Sequence, residues 1–206
     1  MISACEAIAA AGGAGIPTVK PWNLPLVEEK LQLVKKSGAF AVAMDVDAAG
    51  LPFLKNMQPP AGSKSVEELA EIVKAPAGSK SVEELAEIVK AAGIPFIVKG
   101  VMTVRGALKA HAAGAAAIIV SNHGGRVLDQ CSATAEVLEE ICHAVGGGMK
   151  VLVDGGIRSG VDVFKALALG ADGVVIARPF VTAVYGGAEE GVKFILRNLP
   201  VNLKIP

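Results

Sequence analysis

The chain has 206 residues, of which 52% are hydrophobic and 19% are charged, and its formal net charge at pH 7 is zero. That length suffices for one domain with a substantial core, so we predict a single domain over residues 1–206. The charge balance argues against a nucleic-acid-binding protein, which would carry a basic excess, and the hydrophobic content argues against a disordered chain.

The amino-terminal stretch Ile2–Ala14 is apolar, but it contains Glu6 and has no basic residue before it. It is therefore a poor signal peptide, and the chain has no run of about 18 uncharged apolar residues that would span a membrane. The three cysteines show no paired spacing, which predicts free thiols in a reducing compartment. We expect a cytoplasmic protein without nucleic-acid or membrane partners.

After this stretch, short apolar runs alternate with helical patterns. The runs are almost continuously hydrophobic, which is typical of parallel strands covered on both faces. The predicted strands are Ile16–Lys20, Phe40–Val46, Pro95–Lys99, Ala116–Ser121, Lys150–Asp154 and Gly173–Ala177. The predicted helices are Leu26–Lys36, Thr103–Ala113, Thr134–Val145, Val161–Leu169 and Ala188–Asn198. This order predicts an α/β fold with a parallel sheet, and six strands where a TIM-type (β/α)8 barrel has eight predict an incomplete barrel.

A tandem repeat interrupts the alternation, because Pro60–Ala75 recurs without a single change as Pro76–Ala91. Each copy is a well-formed helix, with a serine N-cap and a capping-box glutamate three residues later (Ser81 and Glu84 in the second copy). Structural repeats usually diverge and recur at least three times. We therefore interpret the repeat as a local duplication in which one copy is redundant, with a functional pair of helices as the alternative.

Charged side chains end two of the apolar runs. Asp45 and Asp47 lie at the end of the second strand and, by its period of two, point to the same side. An aspartate that accepts from one imidazole nitrogen raises the basicity of the other, so Asp47 is a candidate partner for a catalytic histidine; the alternative is an aspartate that caps the loop. Lys99 ends the next run, where an unpaired buried ammonium would be costly. We expect Lys99 to be functional, against the alternative that its head group reaches solvent at the rim.

The segment Ser121–Asp129 reads SNHGGRVLD and comes directly after a buried strand. Its glycines place His123 and Arg126 on a turn at the carboxyl end of that strand, where parallel α/β barrels keep their catalytic residues. A base and a fixed cation three residues apart suit a small anionic substrate. We predict that His123 is the base and that Asp47 is its partner.

A second glycine-rich turn lies in Val151–Gly160, which reads VLVDGGIRSG. Backbone N–H groups of such a turn and the start of the following helix favour an anion, and barrels commonly bind phosphate after their last strands. Arg158 in the turn and Arg178 after the next strand would hold a phosphate by charge-assisted hydrogen bonds. The alternative is a plain strand–turn–helix with solvated arginines. No cluster of His, Cys, Asp or Glu has metal-ligand spacing, so we predict no metal site.

Together, VKG, SNHGGRVLD, DGGIRSGVDVFKALALGADGV and the Arg-Pro that follows resemble the FMN-dependent α-hydroxy acid oxidase/dehydrogenase family, over about residues 15–198. The resemblance implies an incomplete barrel whose first two strand–helix units are missing. It implies that FMN is the cofactor and that a small 2-hydroxy acid is oxidised to the 2-oxo acid. Self-association would cover the open sheet edges, so we expect a homo-oligomer.

The resemblance also assigns roles to individual residues. His123 is implied as the base, Asp47 as the aspartate that orients it, and Arg126 as the clamp on the substrate carboxylate. Lys99 is implied at the N1/O2 edge of the flavin, where it stabilises developing negative charge. The remaining cofactor-binding residues implied are Ser121 at the flavin ring and Asp154, Gly155, Gly156, Arg158, Ala177 and Arg178 at the ribityl chain and phosphate.

The chain departs from the family pattern at three places. The segment Ile16–Trp22 lacks the family's tyrosine, Asp45 stands where the family has threonine, and Ala48–Leu54 lacks a second substrate arginine. Together with the missing strands and the duplicated helix, these departures leave two alternatives to an active oxidase. One is an inactive or partial barrel that keeps only a phosphate or FMN half-site, and the other is a different FMN-barrel reaction, such as nitronate oxidation or isoprenoid isomerisation.

Overall fold

A computed structural model describes residues 1–47, 80–127 and 130–199 of the chain. The strands in these ranges are β1 (Thr18–Val19), β2 (Val42–Asp45), β3 (Phe96–Val101), β4 (Ala117–Val120), β5 (Lys150–Asp154) and β6 (Gly173–Val175). The helices are α1 (Ile2–Ala10), α2 (Leu24–Lys36), α3 (Val82–Ala92), α4 (Val104–Ala112), α5 (Thr134–Val145), α6 (Gly160–Ala168) and α7 (Arg178–Asn198). None of the helices in the described ranges is long and apolar enough to cross a membrane.

The six strands form one parallel sheet in the order β1-β2-β3-β4-β5-β6. Each strand pairs with the next strand along the chain, and helices connect neighbouring strands, which is the repeated unit of a (β/α)8 barrel. The fold is α/β, an incomplete TIM-type barrel, as the sequence predicts. Because all strands are parallel, their carboxyl ends meet at one edge of the sheet, and that edge carries the polar residues singled out above.

Both faces of the sheet are apolar, which explains the continuous hydrophobic runs. Along β2, Val42 and Met44 belong to the large core between sheet and helices, whereas Ala43 belongs to a smaller cluster on the other face. The smaller cluster consists of Ala41, Ala43, Ile97, Ala117 and Ile119. The alternation follows from the period of two of a strand, and it fixes which side chains line the interior of the barrel.

The second copy of the tandem repeat forms α3. Ser81 accepts a hydrogen bond from the backbone N–H of Glu84, and the Glu84 carboxylate accepts one from the N–H of Ser81, so the predicted capping box is confirmed. Leu85, Ile88 and Ala92 are buried in the core, and Gly93 ends the helix with a φ of 63°. The first copy lies outside the described residues.

Some predicted boundaries are wrong. Strand β1 has two residues rather than the five of Ile16–Lys20, and the amino-terminal apolar stretch, where no helix is predicted, forms helix α1. Helix α7 begins at Arg178 instead of Ala188. Its backbone is interrupted at Gly187 and Ala188, and the predicted helix corresponds only to the half that follows this interruption. The glycines obscured the helical pattern of the first half.

Candidate functional site

A cavity of about 400 Å³ opens at the carboxyl ends of β3 to β6. Most residues predicted for the site line this cavity with their side chains or backbone. The lining residues are Lys99, His123, Gly124, Arg126, Asp154, Gly155, Gly156, Ile157, Arg158, Val175, Ile176, Ala177 and Arg178. Its size is that of a cavity for a small molecule or a cofactor.

The turn after β4 holds His123 in an unusual backbone conformation. His123 has a φ of 58°, and it begins a short 3-10 turn that ends at Gly125. The side chain of Asn122 stabilises this turn, because its Oδ1 accepts from the backbone N–H groups of Gly124 and Gly125, at 3.0 and 3.2 Å. A positive φ at a non-glycine residue is costly unless its surroundings enforce it, and such residues cluster at functional sites.

The structure brings His123 and Asp47 together, as the sequence predicts. The Nδ1 of His123 lies 3.2 Å from Asp47 Oδ2. An Nδ1–H that donates to the carboxylate fixes the tautomer and leaves Nε2 as the proton acceptor. The two side chains are largely buried, with 18% and 14% of their surfaces exposed, so little solvent competes for this hydrogen bond.

A network of charges that the sequence did not predict lies next to this pair. Asp45 is 7% exposed, and its Oδ2 accepts a hydrogen bond from Lys20 Nζ at 2.8 Å. Its Oδ1 accepts from Lys99 Nζ at 3.2 Å and lies 3.6 Å from His123 Nδ1. The segment without the family's tyrosine thus supplies Lys20, which pairs with the aspartate at the threonine position. The segment Ala48–Leu54 lies outside the described residues.

Lys99 is bound on three sides beneath the cavity. Besides Asp45, its ammonium donates to Ser121 Oγ at 3.1 Å and lies 3.6 Å from Asp154 Oδ2. Ser121 is fully buried, and its hydroxyl in turn donates to Asp154 Oδ2 at 2.9 Å. Lys99 is therefore a paired, oriented lysine at the base of the cavity, and the alternative of a head group extended to solvent is wrong.

Burial raises the pKa of Asp47, and the hydrogen bond and negative charge of Asp45 raise it further, to about 6. For Asp45, burial also acts to raise the pKa, but hydrogen bonds to Asp47 and Lys20 and the charges of Lys99 and Lys20 outweigh it and hold the pKa below its usual range. The Oδ1 atom of Asp47 is buried, and no group among the described residues donates a hydrogen bond to it. A proton shared between the two carboxyl groups would supply that donor.

Three of these groups also approach one another as metal ligands would. The nearest ligand atoms of Asp45, Asp47 and His123 all lie within 4.8 Å of one another. However, Lys20 and Lys99 already provide cationic partners for Asp45, and they would oppose a metal cation at the same place. That the site has no metal stays a prediction.

The second glycine turn forms the opposite wall of the cavity. Gly155 and Gly156 have φ values of 90° and 78°, which favour glycine, so their backbone faces the cavity without side chains. Arg158 and Arg178 line the same wall and are exposed. Arg178 also lies close to the histidine turn, since a Cβ atom on Gly124 would be 3.2 Å from its guanidinium.

Of the residues predicted for the site, only Asp47 and Ser121 lie outside the cavity lining, and both lie directly beneath it in hydrogen-bond contact with lining residues. His111 and His143 are exposed on α4 and α5, as expected of histidines without a role in the site. Sequence reasoning missed Lys20 as a member of the site; it placed Asp45 beside Asp47 at the end of the second strand but assigned it no role. A lysine at the carboxyl end of the preceding strand indicates that Lys20 lies near the site, because the parallel topology brings these strand ends together, but it does not specify which carboxylate Lys20 binds.

Known proteins resemble the chain in sequence. A peroxisomal (S)-2-hydroxyacid oxidase of Arabidopsis thaliana is 52% identical over 112 residues, which cover 54% of this chain and 31% of the relative. An L-lactate oxidase of Lactobacillus jensenii is 46% identical over 114 residues, which cover 55% of this chain and 28% of the relative. The matched segment thus spans less than a third of the length of these curated relatives.

Solved structures match nearly the whole chain. A mandelate oxidase superposes with a TM-score of 0.80 at 32% identity, over 97% of this chain and 60% of that one. A lactate oxidase of Pediococcus acidilactici, described as putative, superposes with a TM-score of 0.76 at 34% identity, over 95% and 57%. The sequence profile of the FMN-dependent dehydrogenases matches residues 39–205. FMN is the cofactor that this match indicates, and the chain belongs to the FMN-dependent dehydrogenase family.

Proposed function

We propose that the chain forms the catalytic part of an FMN-dependent oxidoreductase that oxidises a small 2-hydroxy acid to the 2-oxo acid. The observation that carries the proposal is the His123–Asp47 pair at the edge of a cavity that also contains Arg126. The proposed reaction removes a proton from the α-carbon or the hydroxyl group of a substrate that also carries a carboxylate. It therefore needs a base that is oriented by a carboxylate and a cation beside it that binds the substrate carboxylate. The names of the relatives support this substrate class.

The residues of the cavity fit FMN. Asp154 Oδ1 is buried and has no hydrogen-bond partner among the described residues, so it offers an acceptor for a hydroxyl group such as those of the ribityl chain. Gly155 and Gly156 present bare backbone, and Arg158 and Arg178 would hold the phosphate by charge-assisted hydrogen bonds. Lys99, in the lining at the base of the cavity, and Ser121, directly beneath it, would lie at the flavin ring. Ala177 would contribute its backbone at the phosphate.

The chemistry is divided between cofactor and protein. Bound FMN would supply the oxidant, since it takes up the two electrons that leave the substrate. Nε2 of His123 accepts one proton: if it comes from the hydroxyl group, the α-hydrogen leaves with the electron pair, and if it comes from the α-carbon, the hydroxyl proton leaves separately to solvent. Asp47 stabilises the imidazolium that forms, because its carboxylate accepts the Nδ1–H. Arg126 binds the substrate carboxylate and so orients the carbon that is oxidised.

The length of chain that matches supports one alternative. Because the chain covers 57–60% of the matched solved structures, a partial barrel that binds phosphate or FMN without activity is the second candidate. Such a barrel would cover its sheet edges by self-association, and a homo-oligomer is part of this proposal. A cytoplasmic location stays a prediction, and the plant relative above is named peroxisomal.

The test is a visible absorption spectrum of the purified chain, followed by anaerobic addition of L-lactate or glycolate. We expect a yellow protein that bleaches on addition of the substrate. The variant His123→Gln should bind FMN equally well but bleach roughly 100- to 10,000-fold more slowly, which is the usual contribution of a general base. His143→Gln, which changes an exposed histidine on α5, is the matched control and should bleach at the original rate.

Equal bleaching rates in His123→Gln and the original chain would remove His123 from the mechanism. A colourless, self-associating protein that does not take up added FMN would instead favour a partial barrel that keeps only a phosphate site, and a yellow, self-associating protein that no substrate bleaches would favour a partial barrel that binds FMN without activity. A yellow protein that no 2-hydroxy acid bleaches would favour a different FMN-barrel reaction.

A further inference from the structure

The buried carboxylate of Asp45 lies at the centre of the charges beneath the cavity. Lys20, which directly follows β1, holds one of its oxygens at 2.8 Å. The other oxygen faces Lys99 Nζ at 3.2 Å and His123 Nδ1 at 3.6 Å. Asp45 therefore connects the ends of three neighbouring strands with the turn that carries the base.

A carboxylate this deeply buried requires cationic partners, because an unpaired charge in the interior costs several kcal/mol. Lys20 is the only partner of Asp45 in the described part of the chain that does not also contact another group of the site. Lys99 divides its ammonium among Asp45, Ser121 and Asp154. Without Lys20, the Oδ2 atom of Asp45 would lose its lysine donor, and Lys99 would be the remaining lysine that holds the carboxylate.

The charges that face Asp45 and Asp47 come from every neighbouring strand end. Lys20 follows β1, Lys99 lies on β3, His123 follows β4 and Asp154 ends β5. With Asp45 and Asp154 ionised, two carboxylates balance the two ammonium groups. Asp47 is then the carboxyl group that is not balanced by a lysine, so its negative charge can stabilise a protonated His123.

We propose that Lys20 and Asp45 are positioning residues of the base: Lys20 holds Oδ2 of the Asp45 carboxylate so that Oδ1 faces His123 and Lys99 together and the carboxylate charge acts on Asp47. The part these residues take in catalysis rests on the proposed function, whereas the arrangement of charges does not. The negative charge and hydrogen bond of Asp45 are among the causes that raise the pKa of Asp47 to about 6. Removal of Asp45 should therefore make Asp47 a stronger acid.

The experiment follows the carboxyl ¹³C signals of the uniformly labelled chain, without added FMN, as the pH is varied. In the original chain the Asp47 signal should titrate near pH 6. In Asp45→Asn its midpoint should fall by about one pH unit, because a neighbouring like charge has been removed. In Lys20→Met the Asp45 midpoint should rise towards its ordinary value, and in Lys20→Arg, which keeps the charge, it should stay low.

The matched control is Lys150→Met, which breaks a 2.6 Å ion pair with Asp172 at the opposite, amino-terminal edge of the sheet. It should leave the Asp47 midpoint where it was. Circular dichroism establishes that each variant is folded. If Asp45→Asn leaves the Asp47 midpoint unchanged, or Lys20→Met leaves that of Asp45 unchanged, the proposal is overturned.

A kinetic measurement links the arrangement to catalysis. The acid limb of the pH profile for anaerobic FMN reduction by L-lactate should move to lower pH in Asp45→Asn, by the same amount as the Asp47 midpoint. A limb that stays in place while the midpoint moves would overturn the role of Asp45 in positioning the base. If the original chain is not reduced by any 2-hydroxy acid, the proposed function fails, and the ¹³C titration still decides whether Lys20 and Asp45 form this arrangement.

Discussion

At the scale of single residues, the position of Asp47 depends on the absence of a side chain at Gly100. Gly100 has a φ of 98°, and a Cβ atom built on it would lie 2.6 Å from Cγ of Asp47. The pairing of β3 with β4 shifts register between Lys99 and Val101, so the glycine lies at an irregularity of the strand. Asp47 occupies the space that this glycine leaves open.

We expect Gly100→Ala to displace Asp47 from His123 and to slow anaerobic FMN reduction by more than about tenfold, through loss of the hydrogen bond that orients the base. Gly147→Ala is the matched control, because Gly147 has a φ of 79° but a Cβ atom there would meet nothing within 4 Å. Both variants should lose about 1–2 kcal/mol of stability from backbone strain, measured by urea unfolding. Equal rates of reduction in the two variants would show that the Gly100–Asp47 contact does not position the base.

The sequence predicted the main residues of the site, because parallel strands end at one edge and the motif residues follow those ends. His123, Asp47 and Lys99 could be placed together by this rule alone. The pairing of Lys20 with Asp45 could not, because it depends on which of several neighbouring charges each long side chain contacts. Strand order identifies neighbours, but it does not decide among Asp45, Asp47 and Asp154 as partners of a given lysine.

At the scale of elements, the tandem repeat shows why two identical sequences need not be equivalent. In the second copy, the helix continues into Ala92, which is buried, and ends at Gly93 in a left-handed conformation. In the first copy, Pro76 and Ala77 stand at the corresponding positions. Proline disfavours a helical residue before it, and alanine is strained at a positive φ, so the two copies differ in the sequence that follows them.

A pair of identical substitutions tests which copy is redundant. Leu85→Ala removes a core side chain that is 7% exposed, and it should lower the free energy of unfolding by about 2–5 kcal/mol. Leu69→Ala makes the same change in the first copy, and we expect it to change the free energy of unfolding by less than about 0.5 kcal/mol. Urea unfolding followed by circular dichroism measures both. A similar loss from both substitutions would support a functional pair of helices.

The predicted elements were most accurate where local signals and burial agree. Helix α5 runs over the predicted residues, and α2 and α4 begin within two residues of the prediction at side-chain N-caps, Asn23 and Thr103. Strand β1 was overestimated, because its length is set by how far it pairs with β2 and apolar residues beyond that pairing are not distinguishable in sequence. Helix α7 was cut in half for the opposite reason, since a glycine pair broke its pattern but only interrupted its backbone.

At the scale of the whole molecule, the carboxyl groups beneath the cavity make stability depend on pH. Asp47 has a higher pKa in the folded chain, about 6, than the 3.8 of a solvated aspartate, so the folded state favours its protonated form. Its contribution to stability is therefore fully present below pH 3.8 and is lost as the pH rises through 6. Asp45, whose pKa is lowered, acts in the opposite sense, and its contribution is lost only in strong acid, as the pH falls through its folded-state pKa.

Between pH 4 and pH 7 the two effects separate, because Asp45 stays ionised in the folded chain while Asp47 loses its proton. The variant Asp47→Asn keeps a neutral side chain throughout, so it should gain stability relative to the original chain by roughly 2 kcal/mol over this range. Urea unfolding curves at several pH values measure the difference. If the difference in free energy of unfolding between the variant and the original chain does not change with pH, the pKa of Asp47 is not raised in the folded chain. If the difference falls as the pH rises, the pKa of Asp47 is lowered on folding, which contradicts the prediction. The substitution Asp47→Asn also removes the carboxylate that orients His123. This variant should therefore be more stable than the original chain at neutral pH but slower in FMN reduction.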